Sequence, residues 1–298
     1  MYKGVLLSVT ASVLFAVLYF YTTLLFPLSG EEVFGWRVLL TFPFVTLLMR
    51  YFGDWSLAKK TGRQLPRNPA LLATLLCTSA LLGAQIWLFM WAPLHGRALQ
   101  VSLGYFLLPL TMVLAGRLFY RERLAGLQKA AVACACAGVA NELYRVGGLS
   151  WETMLVALGY PVYFILRRQR NVSHFTGLWL EMGFMLPAAT WFAMAGTHGL
   201  DVFPAHPRLY LLIPVLGLIS ASALSCYIVA SRHLTLAVFG LLGYVEPVLL
   251  VCVGLAIGET IKSAQWLTYL PIWAAFAADR GGAALAPRWF TGLPPCRY

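Results

Sequence analysis

The sequence predicts an all-α membrane protein, with ten transmembrane helices arranged as two inverted five-helix repeats. Three observations lead there. Hydrophobic residues make up 60% of the 298 positions and mean hydropathy is +0.75, well above the apolar share of about 45–50% usual in soluble domains. Apolar runs of about 15 to 24 residues follow one another with short polar breaks, the pattern of a helical bundle. A transmembrane barrel would instead show alternating segments of about ten residues. Finally, charged residues and prolines recur at nearly constant separation between the two halves of the chain.

The first run, Gly4 to Phe26, is too long for a signal-peptide core and lacks an A-x-A site before PLSGEE, so it is read as a retained helix. Val33 to Phe52 follows, carrying Arg37 and Pro43, then Ala70 to Ala92 with Gln85, Trp87 and Trp91. Leu99 to Phe119 carries Ser102, Tyr105 and Pro109. In the short fifth span, Gly126 to Ala140, the ladder Gly126, Ala130, Cys134, Gly138 allows close helix contact. Spans six to eight are Trp151 to Leu166, Phe175 to Gly196 with Glu181 and Pro187, and Leu209 to Ser231. Leu234 to Ile257 contains GYVEP, Gly243 to Pro247, and Ser263 to Ala278 closes the set. Residues 1–146 thus form one five-helix unit, 147–280 the second, and 281–298 a tail.

Ten spans put both termini on one side, and the basic residues say which. Of 22 Lys and Arg, sixteen fall in the termini and even-numbered connections, four in the others, and Arg37 and Lys129 within spans. Cationic loops stay inside. Both termini are therefore expected in the cytoplasm, in a multi-pass protein of the inner (cytoplasmic) membrane, and the net charge of +11 reflects topology, not nucleic-acid binding. Cys77, Cys134, Cys136, Cys226 and Cys252 lie in spans and read as packing residues.

The repeat rests on five matches. Arg37 and Glu181 are 144 residues apart, as are Pro43 and Pro187; Pro109 and Pro247 are 138 apart; Glu122 with Glu259, and Gln128 with Gln265, are 137 apart. A shorter loop in the second half, Thr197 to Pro207 against Gly53 to Pro69, accounts for the change of offset. Inverted repeats hold substrate near the bilayer midplane, and Glu246 lies at the middle of its apolar run.

Val101 to Val139, VSLGYFLLPLTMVLAGRLFYRERLAGLQKAAVACACAGV, resembles the signature of the EamA family within the drug/metabolite transporter superfamily. Together with WLFMWA (Trp87 to Ala92), FGWR (Phe34 to Arg37) and GYVEP, the chain is similar to the RarD-type branch over nearly its whole length. The resemblance implies two inverted EamA-type repeats around a central cavity, spans five and ten at the periphery, and export of small metabolites or drugs. Gln85-Ile86 stands where that pattern has Asn-Trp, and Leu108 where it has Asn; both positions are expected to face the cavity.

An ionised side chain in mid-membrane costs about 2.5–3.5 kcal/mol even on lenient scales, so Glu246 is the first candidate, for substrate, for a proton, or as a hydrogen-bonded structural carboxyl. Pro109 and Pro247 each remove a helical hydrogen bond and predict paired bends, with Tyr105 and Tyr244 beside them and Gly243 and Ser102 nearby. Gln85 and Trp87 offer a hydrogen bond and an aromatic face; Trp91 suits an interface anchor. Arg37 and Glu181 complete the candidate site residues: Arg37 can attract an anionic group on a substrate or, four residues inside its span, take the cheaper course of snorkelling to the outer headgroups, and Glu181 can similarly reach the inner surface. Glu122 and Glu259 are expected to cap or position helix starts.

All five histidines fall in loops or at span ends, and neither a paired aspartate, an H-E-x-x-H nor a P-loop occurs, which argues against an intramembrane enzyme, a metal site or an ATP-driven pump. The expectation is a cofactor-free secondary exporter, monomeric or homodimeric. Its cargo would be small and amphipathic or zwitterionic: an amino-acid-like compound, an amphenicol-type drug or an amino-acid-derived metallophore. Export would run by alternating access, with proton coupling through Glu246; a gradient-driven facilitator or channel is the alternative.

Overall fold

The computed structural model describes residues 2–95, 97–122, 126–146, 149–169, 174–196, 200–249 and 252. Within them the regular structure is helical: α1 (Tyr2–Thr22), α2 (Gly30–Tyr51), α3 (Trp55–Gln64), α4 (Pro69–Leu94), α5 (Ala98–Tyr120), α6 (Gly126–Val146), α7 (Trp151–Gln169), α8 (His174–Met194), α9 (Val202–Ala205), α10 (Leu209–His233) and α11 (Leu236–Leu242). Five helices among the described residues are long and apolar enough to cross a membrane: α1, α2, α4, α5 and α10. The predicted tenth span, Glu259, Gln265 and the tail lie outside the described residues.

Local chemistry explains several boundaries. PLSGEE starts α2 with a reciprocal cap, in which the Ser29 hydroxyl accepts from the Glu32 N–H at 3.2 Å and the Glu32 carboxylate accepts from the Ser29 N–H at 2.7 Å. Two helices occupy stretches read as loops, α3 and the one-turn α9. The ten residues of α3 are too polar and too few for an apolar-run criterion to register.

Packing places α2 against α8 and α5 against α11, α1 against α10 and α4 against α7, α2 against α10 and α4 against α8, and α5 against α7 with α1 against α11. Exchanging α1, α2, α4 and α5 for α7, α8, α10 and α11 maps α2–α8 and α5–α11 each onto itself and pairs off the others. At Gly35 α2 lies so near α8 that an added Cβ would stand 2.5 Å from the Ala193 nitrogen and 2.6 Å from the Ala189 carbonyl. Only glycine permits that approach, as small residues do at membrane helix contacts. One large buried cluster, with Leu18, Val38, Met112, Phe164, Met182 and Phe239 at its heart, joins the helices.

Candidate functional site

The site begins at GYVEP. Pro247 has no N–H to return to the Gly243 carbonyl, and that oxygen is taken instead by the Glu246 N–H at 3.2 Å. Upstream, the Gly243 N–H donates to the Phe239 and Gly240 carbonyls at 3.2 and 2.9 Å, and the Tyr244 N–H to Leu241 at 3.2 Å. The helix therefore tightens, breaks at Gly243–Tyr244 and resumes over 245–249. Pro109, its predicted counterpart, sits inside an uninterrupted α5. Pro109 packs on the segment just before the break: an added Cβ on Gly243 would stand 3.8 Å from the Pro109 ring, and one on Gly240 would stand 3.1 Å from the Pro109 carbonyl.

The break sends neighbouring side chains to opposite sides. Glu246 lines a cavity between α1, α2, α4, α5, α7 and α10. Tyr244 points away, buried against Phe106, Val113 and Val139, its hydroxyl donating to the Phe106 carbonyl at 3.1 Å. The predicted symmetry of two tyrosines beside two bends is thus corrected, because only Tyr105 reaches the cavity. Ser102 is exposed and stands outside it.

Opposite Glu246 the cavity presents Arg37, which is buried and donates from Nε to the Ser220 hydroxyl of α10 at 3.0 Å. Snorkelling to the outer surface, the cheaper course for a shallow arginine, does not occur: α2 is wedged between α8 and α10, so residue 37 faces the bundle interior, where Ser220 receives it. Arg37 and Glu246 line the same space. No hydrogen bond or ion pair joins the two side chains among the described residues.

Tyrosines and phenylalanines form the walls. Tyr105 stands with its ring 6.0 Å from Phe89 and 6.5 Å from Tyr160; Tyr227 is 6.4 Å from Tyr160 and 5.7 Å from Phe15. Gln85 lines the same space and anchors α4 to α7 by donating to the Leu155 carbonyl at 2.7 Å. Ile86 and Leu108 also face the cavity, so both places where the sequence departs from the RarD-type pattern lie on its wall. Trp87 does not face it: its ring stacks on Trp91 at 5.2 Å, and Trp91 on His95 at 4.2 Å.

Beyond the cavity lies a second buried group that sequence reasoning did not assemble. Tyr163, whose ring lines the cavity, donates its hydroxyl to the Glu181 carboxylate at 3.0 Å. Arg167 donates to that hydroxyl at 3.1 Å and pairs directly with Glu181. Glu181 therefore ties α8 to α7 and does not run to the inner surface, because a partner at membrane depth removes the need. The i, i+4 spacing of Tyr163 and Arg167 is the available signal, but Arg167 falls one residue past the end of the predicted sixth span.

Its neighbour Arg168 reaches the α10–α11 turn. It donates to the Ser231 and Leu234 carbonyls at 2.7 and 2.8 Å and lies 3.8 Å from Glu122. The Glu122 carboxylate in turn accepts from the Leu236 and Ala237 N–H groups, both at 2.8 Å. Glu122 thus caps α11, far along the chain. The helix bearing GYVEP is fixed at its start by an anion on its free amides.

No family model matches the chain. It is 46% identical over 278 residues to the chloramphenicol-sensitive protein RarD of Pseudomonas aeruginosa, covering 92% of each. It is 44% identical to an uncharacterized transporter of Pasteurella multocida, covering 88% of this chain and 90% of that one. Protein RarD of Escherichia coli is 30% identical, covering 92% and 93%. A solved crystal structure with 17% identity superposes with a TM-score of 0.64 over 96% of this chain and 99% of its own, a likeness of fold alone.

Proposed function

Because this chain belongs to the RarD-type family of membrane transporters, we propose that it is a secondary exporter whose substrate binds in the cavity between Arg37 and Glu246. One observation carries the reading. A buried arginine and a partly buried glutamate face the same aromatic-walled space without bonding to each other, which suits a ligand with opposite charges at its two ends. Leaving two such charges buried and apart is costly unless something else binds them. The cargo class is a small zwitterionic or amphipathic molecule: an amino-acid-like compound, an amphenicol-type drug or an amino-acid-derived metallophore. A relative's name refers to chloramphenicol sensitivity, and Gln85, Ile86 and Leu108 on the cavity wall are where selectivity would diverge.

Transport is by alternating access of two inverted EamA-type repeats of five spans each, with both termini in the cytoplasm. The mated packing of α1, α2, α4, α5 with α7, α8, α10, α11 and the bias of basic residues support that arrangement. The broken helix at GYVEP supports it too, since discontinuous helices build the midplane sites of such carriers. Glu246 also carries the coupling proton, released as the cationic end of the substrate arrives.

The test compares small molecules secreted by cells with and without the protein, then with Glu246→Gln and Arg37→Gln at equal expression. Export of at least one zwitterionic compound should depend on the protein and fall in both variants. Unchanged export in both removes the cavity as the site. If Glu246→Gln exports normally with the same pH dependence, proton coupling through this residue is wrong and the gradient-driven facilitator stands; unitary conductance in a bilayer would make the protein a channel.

A further inference from the structure

One helix of the bundle, α3, contributes no residue to the cavity. Helix α3 lies between α2 and α4, two helices able to cross a membrane, so it stands at their shared end, at the bilayer surface. Between Arg50 and Arg67 the chain holds five cations, Arg50, Lys59, Lys60, Arg63 and Arg67, against the single acid Asp54.

One face of α3 is fixed to the protein. Ala58 is buried, and the Trp55 ring meets Trp179 edge-on at 6.0 Å. Trp179 is itself held, stacked on Phe42 at 5.6 Å and donating to the Thr46 hydroxyl at 2.8 Å. With that face docked, Lys59 and Arg63, one turn apart, and Lys60 beside them are exposed. Two cations flank the indole, Arg50 at 5.6 Å and Lys59 at 5.9 Å from its centre.

Apolar side chains stand open on the same rim: Tyr51 is 84% exposed, Phe52 57% and Leu57 45%. A water-facing helix would hide such groups and alternate its charges. Cations beside exposed aromatic and aliphatic groups, around a tryptophan, describe a helix lying in the headgroup layer.

We propose that α3 is an interfacial helix that binds anionic phospholipid headgroups through Lys59, Lys60 and Arg63. The phosphodiester takes the ammonium and guanidinium donors while Leu57 and Phe52 enter the acyl boundary. This inference does not rest on the transport reading.

The full-length protein in a mild detergent is titrated with phosphatidylglycerol or with phosphatidylcholine of the same chains, and bound lipids are counted by native mass spectrometry. The wild type should prefer phosphatidylglycerol by about tenfold or more, a preference that weakens at high salt. In K59Q/K60Q/R63Q the preference should drop by about tenfold, while K59R/K60R/R63K, which keeps fold and charge, should retain it. An unchanged preference in the neutral triple variant, or its loss in the charge-preserving one, overturns the proposal. So does displacement of the lipid by millimolar inorganic phosphate, which would mark a soluble-anion site.

Discussion

Two groups of buried charge occupy neighbouring levels of the bundle and are wired in opposite ways. At the Tyr163 level, Arg167, Glu181 and the tyrosine hydroxyl close on one another. At the cavity level, Arg37 leans on a neutral serine and Glu246 faces open space. The same residue types thus serve two ends. Charges that satisfy each other hold helices together, whereas on the proposed function the charges that line the cavity without a mutual bond are the ones a ligand would take. Tyr163 belongs to both levels, its ring on the cavity and its hydroxyl on the ion pair, so a change in the cavity reaches the α7–α8 lock through one side chain.

The comparison is broken most sharply at the paired level. Removing one partner of a buried pair strands the other, at a cost of about 3–5 kcal/mol. Glu181→Ala should therefore lower thermal stability in detergent steeply, while the double variant Glu181→Leu with Arg167→Met should recover most of it. A Glu181→Ala protein as stable as wild type would mean that the α7–α8 pair holds nothing.

The cavity level should respond the other way. Glu246→Gln removes a charge with no bonded partner among the described residues to strand, so stability should change by less than about 1 kcal/mol or rise, whereas Arg37→Gln also gives up the bond to Ser220, about 1.5–3 kcal/mol partly offset by the relieved desolvation cost. Transport should fall at least about tenfold, equivalent to about 1.4 kcal/mol. Melting and uptake measured on the same preparations separate the two levels: loss of stability without loss of transport in either variant would place Arg37 or Glu246 with the structural group.

Sequence made the helical bundle legible, and also the anomaly at GYVEP, because a proline and an acid in an apolar run each carry a fixed physical consequence. Depth along a helix was legible too; rotation about its axis was not. Distance to a span end makes the nearest membrane surface the cheaper course for Arg37 and Glu181, yet packing of α2 against α8 and α10 turns Arg37 inward, and the bonds of Tyr163 and Arg167 hold Glu181 buried. Tyr244 failed for the same reason, since the backbone break rotates it away from Glu246. Trp87 and Ser102 stood in the right spans on the wrong faces. Long-range partners were the hardest to read: nothing near RERL indicates that Glu122 caps a helix more than a hundred residues on.

That cap supplies a smaller test of how firmly the cavity level is held. Glu122 satisfies two amides at the start of α11, and Arg168 satisfies carbonyls at the end of α10 while standing beside Glu122. Glu122→Gln keeps one acceptor oxygen and removes the charge, so stability should fall by about 1–2 kcal/mol, well below the effect at Glu181. Because α11 leads directly into the break that aims Glu246, substrate affinity should weaken several-fold while the maximal rate stays near wild type. Glu122→Asp, too short to reach both amides, should give an intermediate affinity. Equal affinities in wild type, Glu122→Gln and Glu122→Asp would show that the break at Gly243 sets the position of Glu246 unaided.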